Sequence, residues 1–207
     1  RRHDAAQHGE RRLHLAPPAL EILESLWTRA LVLPGVVGLS IGTRPDCVDA
    51  SILSLLESYA KTHLIWIEYG LQSAHDRTLS RINRGHDFKA FEDAVRATQH
   101  RGIKICVHVI LGLPGETRQD MLETAKTISQ MGLDGIKFHM LYVVKGTLME
   151  VMLRQGEYQC LTREAYVDVL CEFLACLPET MVIQRLTSDP HPDLRTLAQI
   201  SINTLGP

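Results

Sequence analysis

The chain has 207 residues, a formal net charge of -2 and 45% hydrophobic residues. That is enough for one domain with its own core, and the near-neutral balance gives no electrostatic reason to expect nucleic acid or a membrane, although a local basic patch is compatible with it. The longest apolar runs, such as 31–41, contain Pro34 and glycines and are too short to span a bilayer, and the Arg- and His-rich start lacks the apolar core of a signal peptide; the reading is a cytoplasmic chain.

Residues 1–16 are polar and aperiodic and read as a loosely ordered leader. Pro17-Pro18 opens a helix, with Leu20, Leu23 and Trp27 spaced helically up to Ala30. Leu31 to Gly42 reads as a buried strand closed by Thr43-Arg44-Pro45-Asp46, where Pro45 biases Arg44 away from helix. Ser51 to Ala60 is an amphipathic helix. Next comes the segment that organises the rest, Trp66 to His86. Its strand puts Ile65, Ile67, Tyr69 and Leu71 on one side and Trp66, Glu68, Gly70 and Gln72 on the other. A parallel strand covered on both faces reads apolar throughout. A row of carboxylate, glycine and carboxamide costs a few kcal/mol per unpartnered group when buried (about 1–3), so that face points into a polar cavity. A short helix from Asp76 to Asn83, capped by Asp76 or Ser73, then returns Arg84 and Gly85 towards the strand end.

Asp87 caps a helix from Phe88 to Arg101 that Gly102 closes. Ile103 to Gly112 is the next strand, with Lys104, Cys106, His108 and Ile110 on one face. Gly112-Leu113-Pro114-Gly115 turns into a helix from Thr117 to Met131, stopped by Gly132. Gly135 to Leu141 is a strand with Lys137 and His139 on one side. A loop from Tyr142 to Thr147, helices near Leu148 to Gln155 and Arg163 to Leu177, and a short strand from Met181 to Leu186 follow. The tail, 188–207, is polar with Pro190 and Pro192.

Strands separated by helices mean βαβ units and a parallel sheet. Each strand has one apolar face; the other collects Ser40, Arg44, Glu68, Gln72, Cys106, His108, Lys137 and His139. One polar face predicts an α/β fold of the partial-barrel kind: a curved parallel sheet with outer helices and a lined inner side, its chemistry at the C-terminal strand ends. Five cysteines, Cys47, Cys106, Cys160, Cys171 and Cys176, are widely spaced and form no C-x-x-C pair, so no metal ligands are expected within this chain.

The strand-end motifs Gly-Thr-Arg-Pro-Asp (Gly42 to Asp46), Gly-Leu-Gln-Ser (Gly70 to Ser73), Arg-Ile-Asn-Arg-Gly-His (Arg81 to His86) and Leu-Gly-Leu-Pro-Gly-Glu (Leu111 to Glu116) resemble those of radical S-adenosylmethionine enzymes, in particular the YhcC-like branch close to the Elp3-like group. The resemblance runs from Pro17 to Thr187. It implies a (β/α)6 TIM-like partial barrel over 17–187, a [4Fe-4S] cluster, and S-adenosyl-L-methionine cleaved to a 5′-deoxyadenosyl radical. It also implies a tRNA wobble base as substrate and an electron donor such as flavodoxin or ferredoxin. Carried over by position, Gln72 and Arg84 would contact the ribose and carboxylate of S-adenosylmethionine. His108 takes the strand site of a ribose contact, Ile110 to Gly112 lie near the adenine, and Glu68 and Arg44 complete the face. Two departures follow from the resemblance. The three-cysteine loop and the first barrel strands are expected upstream of Arg1, and Gly42 stands where many relatives have Glu.

Plainer roles remain open for these residues. Arg84 also reads as a surface arginine pairing with Asp76 or Asp87, Glu68 as a structural anion paired with Lys104 or Arg44, and His108 and His139 as core histidines. Arg44 also reads as a helix-capping group, and Cys106 as a small core residue. Two other functions compete. One is a cluster-less relative that binds a nucleotide-like ligand or partner without catalysis. The other is a metal-independent barrel enzyme with Glu68 and His108 as acid and base.

Overall fold

In a computed structural model, residues 20–187 and the strand 196–198 are described. The leader 1–16 and most of the tail 188–207 lie outside them.

The first helix, α1 (Leu20–Leu31), ends on the residue where the strand was expected to start. The chain then turns through Pro34 and Gly35, the latter at φ +84°, a conformation glycine adopts without penalty. Strand β1 is therefore only Gly38–Thr43, not Leu31 to Gly42. A short 3-10 turn at Pro45–Cys47 leads to α2 (Ala50–Ala60), whose cap Asp49 accepts from Ile52 N at 2.9 Å. Then come β2 (Leu64–Gln72), α3 (Asp76–Arg81) and α4 (Phe88–Thr98). Asp87 caps α4 through Ala90 N as expected, but the helix ends three residues before Arg101. Neither Asp76 nor Ser73 caps α3. Asp76 accepts from Phe88 N at 2.7 Å, and the Ser73 hydroxyl accepts from His75 N at 3.1 Å.

Strand β3 (Lys104–Leu111) is followed by α5 (Arg118–Ser129), which opens with a reciprocal capping box between Thr117 and Asp120. Strands β4 (Gly135–Met140) and β5 (Val143–Val144), helices α6 (Leu148–Arg154) and α7 (Arg163–Ala175), and strands β6 (Val182–Arg185) and β7 (Thr196–Ala198) complete the order. The expected 142–147 loop thus contains a two-residue strand, which pairs antiparallel with β7.

The main sheet has five parallel strands in the order β1-β2-β3-β4-β6. Its apolar side packs under the helices: Ile67, Tyr69, Val107, Val109, Ile136 and Phe138 meet Leu56, Phe91, Ala125, Ile128 and Phe173, all essentially inaccessible. The Tyr69 hydroxyl pairs with Thr98 at 2.8 Å, and Phe138 meets Phe173 edge to face. The opposite side carries the polar row. Register stacks that row in layers across the strands: Gly42 beside Glu68 beside Cys106 beside Gly135, then Gly70 beside His108 beside Lys137 beside Arg185, then Ile110 beside His139. This α/β sheet with helices on its apolar side is the fold that the one-sided strand pattern predicts.

Candidate functional site: the polar face at the strand ends

Glu68 is the centre of the polar face. It is only 6% exposed, in a layer otherwise made of Gly42, Cys106 and Gly135. Those small neighbours leave room for side chains of the adjacent layers to reach back onto it. Lys137 Nζ donates to Oε1 at 2.5 Å, the Ser40 hydroxyl donates to the same oxygen, and His108 Nε2 lies 2.8 Å from Oε2. Burial alone would raise the Glu68 pKa, but hydrogen bonds from Lys137, Ser40 and His108 outweigh it and hold the carboxyl at about 2. Lys104 pairs instead with Asp134, and Arg44 with Asp46, so neither is the Glu68 partner that its sequence position offers. His139 Nε2 sits 3.3 Å from His108 Nδ1, with the rings 4.9 Å apart. Burial, then the cationic neighbours, push His139 down to about 4, and burial also lowers His108.

The end of β2 is irregular. The pairing with β3 slips between Gly70 and Gln72, and Gln72 takes φ +77°, a left-handed conformation rare for a side-chain-bearing residue. Strain of this kind, of order 1–3 kcal/mol, persists where surrounding structure holds it. Here it turns the Gln72 carboxamide back over Gly70. A Cβ added at Gly70 would collide with the Arg84 guanidinium and lie 2.8 Å from Gln72 Nε2, so the glycine makes a cradle. Arg84 donates to the Gly70 carbonyl through Nη2 at 2.8 Å and Nε at 3.2 Å, and to His86 Nε2 at 3.2 Å. His86 accepts that bond while its Nδ1 faces the Asp87 carbonyl at 3.2 Å. Arg84 thus pairs with neither Asp76 nor Asp87. Burial, then the nearby Arg44 charge, lower its pKa. Two guanidinium groups held this close suit an anion. Gln72 Oε1 is buried and has no hydrogen-bond partner, which a native protein tolerates at few sites.

Two cavities open here. One, about 290 Å³, is lined by Gln72, His108, Ile110, His139, Met140, Leu141 and Tyr142. The other, about 460 Å³, includes Asp46, Arg84, Gly85 and His86 in its wall. Of the residues proposed from sequence, Gln72, His108 and Ile110 share the first cavity and Glu68 stands behind it. Arg84 borders the second. Arg44 lies over Gly85, 3.3 Å from where a Cβ would be, and is held by Asp46 at 2.9 Å. Gly112 is enclosed: Tyr158 donates to its carbonyl at 2.9 Å and Leu161 packs 3.0 Å from its missing Cβ. Cys106 is fully buried, and burial pushes its thiol up to about 12, so it is inert packing.

Sequence reasoning left Lys137, Ser40, His139 and His86 off the site. The first three share the polar face, but only the register places Lys137 over Glu68. A link between two motifs was also missed. The Ser73 hydroxyl donates to Glu116, and Arg81 covers Gly115 at 2.9 Å from its missing Cβ, fastening the turn after β3 to the segment after β2. Burial raises the Glu116 pKa.

The metal question has a clear answer for the described residues. One set, His75, Asp120 and Glu123, converges. However, His75 Nε2 is spent on the Asp120 carbonyl at 2.9 Å, and the Asp120 carboxylate on Thr117 and Arg77. Among the described residues no three thiols gather, so these residues do not fit an iron–sulfur cluster. No helix among them is long and apolar enough to cross a membrane.

Comparison with known proteins gives the context. Residues 14–128 match the Radical SAM superfamily, and residues 133–204 match the Radical_SAM C-terminal domain. The chain is 44% identical over 174 residues to the uncharacterized protein MJ0486 of Methanocaldococcus jannaschii, covering 84% of this chain and 54% of that protein. It is 38% identical over 170 residues to YhcC of Escherichia coli K12, covering 82% and 55%. Among solved structures, the archaeal Methanocaldococcus infernus Elp3 with an N-terminal deletion superposes with a TM-score of 0.65 at 24% identity, over 74% of this chain and 36% of that one. The chain therefore spans about half the length of the curated relatives it matches. These sequence matches, with a 30% identity to elongator complex protein 3 of Schizosaccharomyces pombe, place the chain in the radical SAM superfamily, among YhcC-like proteins with Elp3-like relatives.

Proposed function

We propose that this chain is the S-adenosylmethionine-holding part of a radical enzyme core, with the cofactor lying over the Gly70–Gln72 strand end. The observation that carries this is the cradle itself: a glycine whose Cβ space is taken by Arg84 and Gln72, next to a buried carboxamide oxygen without a partner. Gln72 Oε1 would accept from a ribose hydroxyl. Arg84, anchored on the Gly70 carbonyl and sharpened by the neighbouring Arg44, would hold the carboxylate of the methionine end. His108 and Ile110 would wall the nucleoside side. Reductive cleavage of the bound cofactor would supply a hydrogen-abstracting radical. Iron ligands are not among the described residues, so no step is assigned to a cluster here. The [4Fe-4S] group, an electron donor such as flavodoxin or ferredoxin, and a tRNA wobble base as substrate belong to the whole protein and to this proposal, as does a cytoplasmic setting. The tRNA element rests on fold-level likeness.

Calorimetric titration of the chain with S-adenosylmethionine tests the reading. Binding that is lost in Gln72→Ala and in Arg84→Ala supports it; binding unchanged in both contradicts it. A second reading, a relative that binds a nucleotide-like ligand without catalysis, draws on the lack of gathered thiols among the described residues. It predicts that a protein with the relatives' full length forms no 5′-deoxyadenosine under anaerobic, reducing conditions.

A further inference from the structure

At the far edge of the sheet, β6 breaks step with β4. Val182 and Ile183 pair with Gly135 and Ile136 in turn, but the register then slips, and Arg185 instead of Gln184 stands opposite Lys137. Two residues of β6 thus meet one of β4, as in a β-bulge, a device that re-aims side chains and recurs next to binding sites. Gln184 lies on the polar side, its Nε2 3.2 Å from the Cβ position of Gly135. Burial lowers the pKa of both His108 and His139 and the charge of Arg185 adds to it, so Arg185, opposite Lys137, reaches the same side. The strand is pinned just beyond it, where the buried Tyr166 donates to the Leu186 carbonyl at 2.7 Å.

The bulge therefore sets two cations side by side, and like charges on neighbouring strands repel. Lys137 is neutralised by Glu68. Arg185 has no such partner: it is exposed and forms no ion pair or hydrogen bond among the described residues. Glu68, the one carboxylate in the row among the described residues, already accepts from Lys137, Ser40 and His108. We infer that Arg185, with the Gln184 carboxamide beside it, is an oxyanion subsite that holds a phosphate or carboxylate group of the substrate. A guanidinium presents a planar fork of N–H donors to such a group, and the repulsion from Lys137 is relieved when it binds. Arg185 is three inter-strand steps from Gly70, the anchor of Arg84, or about 14 Å at about 4.8 Å per step. One carboxylate cannot bridge the two. S-adenosylmethionine has a single carboxylate, which the reading above gives to Arg84, so the group at Arg185 comes from the substrate. The word substrate rests on that reading; the anion subsite does not.

The Arg185 Nε–H signal, followed by proton–nitrogen NMR of the chain at mildly acidic pH, tests this. Inorganic phosphate or acetate should shift it saturably, and sodium chloride of equal ionic strength should not. The exposed Arg29 on α1 should respond to none of them. The tighter of phosphate and acetate names the source of the oxyanion. Responses to both that are no larger than at Arg29 would mark a solvated arginine and overturn the inference. A bound anion should also raise the His139 titration midpoint by masking a neighbouring cation. Arg185→Gln should raise that midpoint by itself and abolish the further effect of the anion. A midpoint unmoved in this variant would show that Arg185 does not face the row. Arg185→Gln should leave S-adenosylmethionine binding intact; its loss there would put Arg185 in the cofactor site and overturn the substrate assignment. No binding of S-adenosylmethionine in the parent chain either would remove the cofactor reading while leaving the oxyanion subsite.

Discussion

Lys137 Nζ lies 2.5 Å from Glu68 Oε1, although their strands are separated in the sheet by β3. The contact spans β3 because Cys106, the residue beside Glu68 on that strand, is small. A buried carboxylate that loses one charged donor keeps its desolvation cost. Lys137→Met should therefore lower the unfolding free energy by about 2–3 kcal/mol. Lys89→Ala, which removes an exposed i,i+4 partner of Asp93, should cost about 0.5 kcal/mol or less. Urea denaturation of the two variants checks the contrast.

Glycines in the sheet should differ sharply on substitution. A Cβ at Gly38 would run into the Leu64 carbonyl and lie 2.7 Å from its carbon, so Gly38→Ala should destabilise by about 1–3 kcal/mol. At Gly42 nothing lies within 4 Å of the added carbon. Gly42→Ala should gain about 0.5 kcal/mol through lower unfolded-state entropy. Thermal melts that rank the two in the opposite order would contradict the packing described.

Acidification should weaken the fold in two stages. His139 is depressed from 6.5 to about 4, so the unfolded chain binds its proton first and stability falls as pH drops below about 6.5. Glu68 is depressed from 4.5 to about 2, so its contribution is intact above 4.5 and is lost as pH falls from there towards 2. His139→Asn should flatten the first stage and leave the second. Denaturation midpoints across pH 7 to 2 measure this.

The outer edge of β1 has no pairing partner among the described residues, and Val37 and Leu64 near it are 76% and 50% exposed. An open edge beside apolar side chains templates association. The chain expressed alone should self-associate in light scattering; a clean monomer would contradict this.

Much of the fold was readable because local patterns and tertiary structure agree. The alternation through Ile65 to Gln72 marked which side of β2 packs and which lines the site, and Asp87 marked the start of the fourth helix, although that helix ends at Thr98, four residues before Gly102. Where the reading failed, a non-local competitor won. The apolar run after Ala30 looked like strand, yet Leu31 is buried as the last residue of α1, and Pro34 and Gly35 turn the chain before pairing begins. Ser73 and Asp76 looked like caps but are claimed by Glu116 and by Phe88 N. The site was legible as a set of polar residues on one face, not as a set of bonds. Glu68 and Lys137 are 69 positions apart, and only the register of three strands identifies them as partners. The inverted backbone at Gln72 left no sequence signal, because the residue is not a glycine.

The most direct measurement is a crystal structure of the chain grown with S-adenosylmethionine. The account predicts the ribose against Gln72 Oε1, the methionine carboxylate at Arg84, and the nucleoside between Gln72 and His139. Cofactor density elsewhere, for example beside His75 and Asp120, with Gln72 Oε1 still unpartnered, would contradict it.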